Sequence, residues 1–122
     1  MGSGLLADPG RHPTIANLTI VGNSCYDSTW GILLYPTSVE TVHIANNVID
    51  APYAWYGGAI YIHCMDEDDT TIRNATVSNN VIVRGGAAGI ELDYLQGSIV
   101  TDNTICNVSQ TKDGVYKGIR AT

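Results

Sequence analysis

Apolar and polar residues alternate in short runs along most of the chain. Leu18/Ile20, Val42/Ile44, Ala75/Val77 and Ser98/Val100 fall on one side of four such runs, with Thr19, His43, Thr76 and Ile99 on the other. A period of two is that of a pleated strand, so each run predicts a β-strand. The phrase also recurs: "TVHIANNVID" at 41–50 returns as "TVSNNVIV" at 76–83, and looser copies stand at 98–106 ("SIVTDNTIC") and 18–26 ("LTIVGNSCY"). After the shared Asn comes a shorter run whose inward position is Cys25, Ile49, Ile82 or Ile105. A loop of variable length then leads to "GILLY", "GAIYIH", "GIELD" or "GIRAT", with Ile32/Leu34, Ile60/Ile62, Ile90/Leu92 and Ile119/Ala121 facing inward. No helical period of about 3.6 persists long enough to compete.

The markers set the length of the repeat. Asn23, Asn47, Asn80 and Asn103 are 24, 33 and 23 residues apart, whereas Ile32, Ile60, Ile90 and Ile119 are 28, 30 and 29 apart. One turn therefore takes close to 29 residues, within the range of about 20–50 that marks stacked architectures. Three strands per turn predict three parallel sheets. The Asn suits a tight corner because it tolerates left-handed backbone, and its amide both donates and accepts, so equivalent residues stacked about 4.8 Å apart can bond along the coil.

These features resemble the right-handed parallel β-helix of pectate lyases, polygalacturonases, alginate epimerases and phage tailspikes. The resemblance implies an all-β, single-stranded coil of about four turns over residues 14–122; residues 1–13, which open on "MGSG" and lack periodicity, read as a tag remnant and irregular lead-in. It also implies that the short Asn corner joins the second and third sheets. The Gly-Ile strands would then form the first sheet, whose outer face is the family's polysaccharide groove. Family enzymes usually carry more turns, which makes this chain a short or fragment-like member.

If the isoleucines point inward, two outward columns follow across the turns. One is Leu33, Tyr61, Glu91, Arg120 and the other Tyr35, His63, Asp93, Thr122. Glu91 and Asp93, two residues apart on one strand, are expected to point to solvent beside His63, spaced so that an acid and a base could act across a glycosidic bond. His63 and Arg120 would then stabilise charge. Tyr35 and Tyr61, with Tyr53, Trp55 and Tyr56 from "APYAWYGG" at 51–58, would offer aromatic faces to sugar rings. The consecutive Asp66, Glu67, Asp68 and Asp69 could ligate calcium, which pectate lyases use to bridge acidic substrate to enzyme, although the spacing is not that of an EF-hand. The epimerase "DPHD" signature and the polygalacturonase aspartate pattern are not found in the chain.

Composition narrows the partners. A chain of 122 residues, 44% hydrophobic and 15% charged, fits one core. Twelve acidic against six basic residues, a net charge of −6, argue against a nucleic acid. No stretch approaches the roughly 20 apolar residues of a membrane span, and no signal peptide is evident, which leaves a secreted or cell-surface parent open. Cys25, Cys64 and Cys106 lack metal or redox spacing. Asn17, Asn74 and Asn107 match glycosylation acceptors, as a chain rich in Asn, Ser and Thr does by chance. Three functions follow: a carbohydrate-active enzyme, a non-catalytic sugar-binding or adhesion module, or a structural coil. Open coil ends exposing apolar rungs and unpaired backbone further predict a homo-oligomer, most simply a two-fold dimer.

Overall fold

The computed structural model describes residues 5–7, 14–36, 38–53, 58–63, 71–110 and 117–122. Along the chain, the first circuit comprises β1 (Leu5–Ala7), β2 (Thr14–Val21) and β3 (Ser24–Tyr26). The second comprises β4 (Ile32–Leu34), β5 (Ser38–Ala45) and β6 (Val48–Asp50). The third contains β7 (Gly58–Ile62), β8 (Ile72–Arg73), β9 (Thr76–Ser78) and β10 (Val81–Val83). The fourth contains β11 (Ala88–Leu92), β12 (Leu95–Gln96), β13 (Ile99–Thr101) and β14 (Thr104–Cys106), after which β15 (Ile119–Ala121) returns to the first sheet.

Three parallel sheets result. The first stacks β1, β4, β7, β11 and β15; the second holds β2, β5, β8, β9, β12 and β13; the third holds β3, β6, β10 and β14. The isoleucines stack as expected, with Ile60 paired to Ile32 on one side and Ile90 on the other, and Ile90 paired to Ile119. β1 corrects the expected boundary: Leu5–Ala7 lies in the segment read as an irregular lead-in, yet it pairs with β4 in the same parallel register.

Apolar burial concentrates in the middle circuits. Ile32, Ile44, Ile49, Ile60, Ile62, Ile72, Val77, Ile82, Ile90 and Leu92 are fully buried, whereas Ile119 on the last rung is 45% exposed. Each inner rung is sandwiched between two others, and the last has a described neighbour on one side. The recurring glycine before the isoleucine also acquires a reason. A Cβ on Gly31 would fall onto the Ile49 side chain, and one on Gly89 would lie 2.6 Å from Ile105 Cγ2. At these two positions the third sheet's inward isoleucine fills the space where a side chain would start.

The corners divide labour in a way that differs from the expectation. The ladder itself is present: Asn23, Asn47, Asn80 and Asn103 bond in sequence, each Nδ2 to the next Oδ1 at 2.9–3.0 Å. The Nδ2 groups of Asn47, Asn80 and Asn103 also donate to the carbonyls of Ile20, Ile44 and Val77. The left-handed residue, however, is the one before: Gly22, Asn46, Asn79 and Asp102, with φ between 54° and 73°. One residue bends the chain and its neighbour satisfies the buried polar groups that the bend exposes.

Two further left-handed columns accompany this one. Asn17, Thr41, Asn74 and Gly97 stand five residues earlier, and Asp27, Ala51, Arg84 and Asn107 five residues later. Strict alternation therefore fails at each bend. Inward residues run Val39, Val42, Ile44, Asn47, Ile49, all buried, with spacings of three and two instead of two throughout. The second sheet is thus folded along its middle, so that its strand in the third and fourth circuits divides into β8/β9 and β12/β13. Left-handed backbone costs a non-glycine residue about 1–2 kcal/mol, least for Asn and Asp. Nine of the twelve residues in the three columns are Asn, Asp or Gly.

Two substitutions of opposite sign test this division. Asn80→Ala orphans the buried Asn47 amide and Ile44 carbonyl. At about 1–3 kcal/mol per unsatisfied buried group, it is expected to cost roughly 2–5 kcal/mol in urea denaturation. Thr41→Asn, at an exposed left-handed position now held by a β-branched residue, is expected to stabilise by about 0.5–1 kcal/mol. Loss of stability at position 41, or none at 80, would contradict the assignment.

Candidate functional site

The outer face of the first sheet carries both expected columns. Register pairs Leu33 with Tyr61, Tyr61 with Glu91, and Glu91 with Arg120. Just beyond the strands, backbone bonds from His63, Asp93 and Thr122 to Leu34, Ile62 and Leu92 keep the second column in step. With adjacent strands about 4.8 Å apart, side chains one turn apart must touch or repel.

They touch. Tyr35 and His63 meet edge to face at 5.3 Å between ring centroids, and Tyr61 lies 6.0 Å from Tyr35 and 5.6 Å from His63. His63 Nδ1 is 2.7 Å from Asp93 Oδ2, and Thr122 Oγ1 donates to Asp93 Oδ1 at 3.4 Å. Arg120 Nη1 donates to Glu91 Oε1 at 2.6 Å. The columns thus become two contact chains, one ending in an Arg–Glu pair and the other running through a His–Asp pair.

Burial corrects the sequence-based picture. Glu91 is 5% exposed and Asp93 9%, so neither carboxylate points freely to solvent. Glu91 is moreover bound to Arg120, which removes the accessible acid/base pair expected of Glu91 and Asp93. Tyr61, at 6% exposure, has no open ring face and serves as packing behind Tyr35 and His63. The accessible groups are the His63 side chain, one third exposed, the Arg120 side chain, more than half exposed, and the half-buried Tyr35. Alternation along a strand tells which side a residue faces, not whether that side is covered.

The electrostatics differ between the two carboxylates. Burial pushes the Glu91 carboxyl above its ordinary range, and the neighbouring Asp93 adds to this; the Arg120 guanidinium and His63 oppose the shift without cancelling it. Asp93 beside Nδ1 favours the imidazole tautomer with its proton on Nδ1, leaving Nε2 to accept a proton or a hydrogen bond.

Trp55, Tyr56, Asp66, Glu67, Asp68 and Asp69 lie outside the described residues, and with them the calcium expectation. Among the described residues no group of His, Cys, Asp or Glu is arranged to hold a metal ion. Tyr53 is described but stands apart, on the corner leading into β7, where its hydroxyl donates to Asp27 Oδ1 at 3.1 Å. Nearby, Arg84 forks onto Asp50 through two bonds of 2.7 Å. These four residues were not grouped by the sequence reading. For two of them the signal was present, since Asp27 and Arg84 each stand four residues after a ladder Asn.

The three-sheet coil, its register and its internal ladder find their counterpart in a known family. The model of the right-handed beta helix region matches residues 3–121. The chain belongs to the right-handed β-helix family. No curated protein and no solved structure matches it. Membership supplies the hand of the coil and accounts for β1, which the match includes. The role of the β-helix face is left to its own side chains.

Glu91 gives that face a measurable signature. Its folded pKa is raised, so its contribution to stability is complete below the ordinary value of 4.5 and is lost as pH rises through the folded value. Its partner Arg120 is largely hydrated, so their pairing returns little. Glu91→Gln, which keeps an acceptor for Arg120, is expected to raise Tm at about pH 7 and to leave it unchanged near pH 4. A lower Tm at neutral pH would show that the ion pair outweighs desolvation.

Proposed function

We propose that this β-helix binds a polysaccharide across the outer face of its first sheet. The observation that carries the reading is the Tyr35–His63–Asp93 chain of contacts, with rings 5.3 Å apart and the imidazole fixed by a 2.7 Å bond. A sugar presents an apolar C–H face and a rim of hydroxyls. A partly open tyrosine beside an oriented imidazole and an accessible guanidinium offers the complementary surface: ring area for the first, donors and an acceptor for the second. Because these groups sit on or just beyond stacked strands, with His63 and Asp93 tied by backbone bonds to the turn before, binding has little left to order, which keeps the entropic cost low.

A second reading has one specific observation behind it. His63, its Nδ1 held by Asp93 and its side chain one third exposed, has the arrangement of a general base, so catalysis on the bound glycan would run through His63 and not through Glu91. Arg120 would then stabilise developing negative charge, if the Glu91 it holds is neutral.

One experiment separates these readings. A panel of soluble plant, algal and bacterial polysaccharides is screened by affinity electrophoresis, and hits are assayed for new reducing ends and for unsaturated-uronate absorbance. Retardation by at least one polymer, reduced ten-fold or more by Tyr35→Ala and His63→Ala without product release, is the expected result. Product that disappears in His63→Ala and Asp93→Asn would establish the catalytic reading instead. No retardation and no product from any polymer would sink both.

A further inference from the structure

We propose a second saccharide site, selective for neutral sugars, in the corner cleft between the third and first sheets. The cleft has a volume of about 370 Å³ and is lined by Asp27, Pro52, Tyr53, Arg84 and Gln110 among others. That size lies at the lower end of the range of about 300–1,000 Å³ usual for small-molecule sites, and suits one or two pyranose rings. It shares no residue with the Tyr35–His63–Asp93 face, and the inference does not depend on that face binding anything.

The cleft is built by the fold rather than by a loose surface loop. Asp27, Ala51 and Arg84 occupy successive levels of one left-handed column, each amide bonded to the next level at 3.0–3.1 Å. Tyr53 is anchored by its own amide to the Ser28 carbonyl at 2.8 Å, Gly86 to Pro52 at 2.8 Å, and Gln110 to Gly85 at 3.1 Å. The walls therefore have fixed backbone positions before any ligand arrives.

The side chains suit a polyol more than an ion. Arg84 is committed to Asp50 through both oxygens, which raises its own pKa and holds the Asp50 carboxyl below its ordinary range. The Tyr53 hydroxyl donates a hydrogen bond to Asp27, which pushes the phenol up. With the guanidinium neutralised by Asp50, Asp27 leaves the cleft with one net negative charge, which repels a uronate or sulfated sugar. The remaining valences suit hydroxyls: carboxylate lone pairs accept, the free edge of the guanidinium donates, and the Gln110 amide does both. Tyr53, 45% exposed, supplies a ring for the C–H face of a pyranose.

Sequence choice at the column supports a role beyond folding. In the three left-handed columns the residues other than Asn, Asp and Gly are Thr41, Ala51 and Arg84. Two of these three line the cleft.

The test uses the whole chain, ¹⁵N-labelled, titrated separately with cellohexaose, xylohexaose, mannohexaose, galactohexaose and hexagalacturonate. At least one neutral hexasaccharide is expected to shift the amides of Asp27, Tyr53, Arg84, Gly86 and Gln110 as one saturable set, and hexagalacturonate to leave them in place. Tyr53→Ala should weaken that binding ten-fold or more, with Gln110→Ala as a milder second variant whose spectrum reports an intact fold. The proposal is overturned if no neutral sugar moves these amides, if hexagalacturonate moves them as strongly, or if Tyr53→Ala binds unchanged. Shifts confined to Tyr35, His63 and Arg120 would likewise overturn it while favouring the face. Shifts confined to the cleft would uphold it and remove the face.

Discussion

Everything in this coil depends on turning a chain sharply, again and again, without leaving buried backbone unsatisfied. A left-handed residue makes each bend, and three of them five residues apart divide the path through the second and third sheets into short straight sides. A bend made this way turns a carbonyl or an amide toward the core, where an unmet polar group costs about 1–3 kcal/mol. The corner between those two sheets solves the problem with the asparagine next in sequence. Asn47 and Asn80 are wholly buried, yet the side chain of each meets the backbone of the turn before it, and its own backbone amide donates to the ladder Asn of the turn after it.

The ladder also fixes register, and register decides the chemistry of the first sheet. A parallel coil places like positions one turn apart, so an outward residue meets partners chosen by the repeat length and not by the local sequence. With Ile32, Ile60, Ile90 and Ile119 aligned on the inside, Tyr35, His63, Asp93 and Thr122 must align on the outside. Slippage by one residue would carry every isoleucine to the outer face, which the buried core prohibits. His63 therefore has Asp93 on one side and Tyr35 on the other as a consequence of packing behind it.

Much of this was legible in the residues. Alternation, the returning Asn and the Gly-Ile marker gave the sheets, the stacking and the outward columns, because each reports a constraint that acts on every turn. Three things were not. The doubled asparagines at 46–47 and 79–80 look like one corner signal, although the first bends the chain and the second bonds. Gly22 before Asn23 and Asp102 before Asn103 hold the clue, since the first of the pair varies among residues tolerant of positive φ while the second does not. β1 is only three residues long, too short for any periodicity to show. The burial of Glu91, Asp93 and Tyr61 escaped for a different reason: alternation is a property of one strand, whereas cover is a property of whatever lies above it.

Two carboxylates on one strand face thus come to differ because of their neighbours one turn away. Glu91 stands between Tyr61 and Arg120, where loss of water disfavours its charge more than the largely hydrated guanidinium restores it. Asp93 stands between His63 and Thr122, both of which can give it a hydrogen bond. Backbone register at β11 and just past its end sets which partners each of them meets. Of the His63–Asp93 pair, His63 is the more accessible, its side chain one third exposed and its Nδ1 held by Asp93. The face owes its geometry to the core, because the register that stacks the isoleucines inside also sets which outer side chains meet one turn apart.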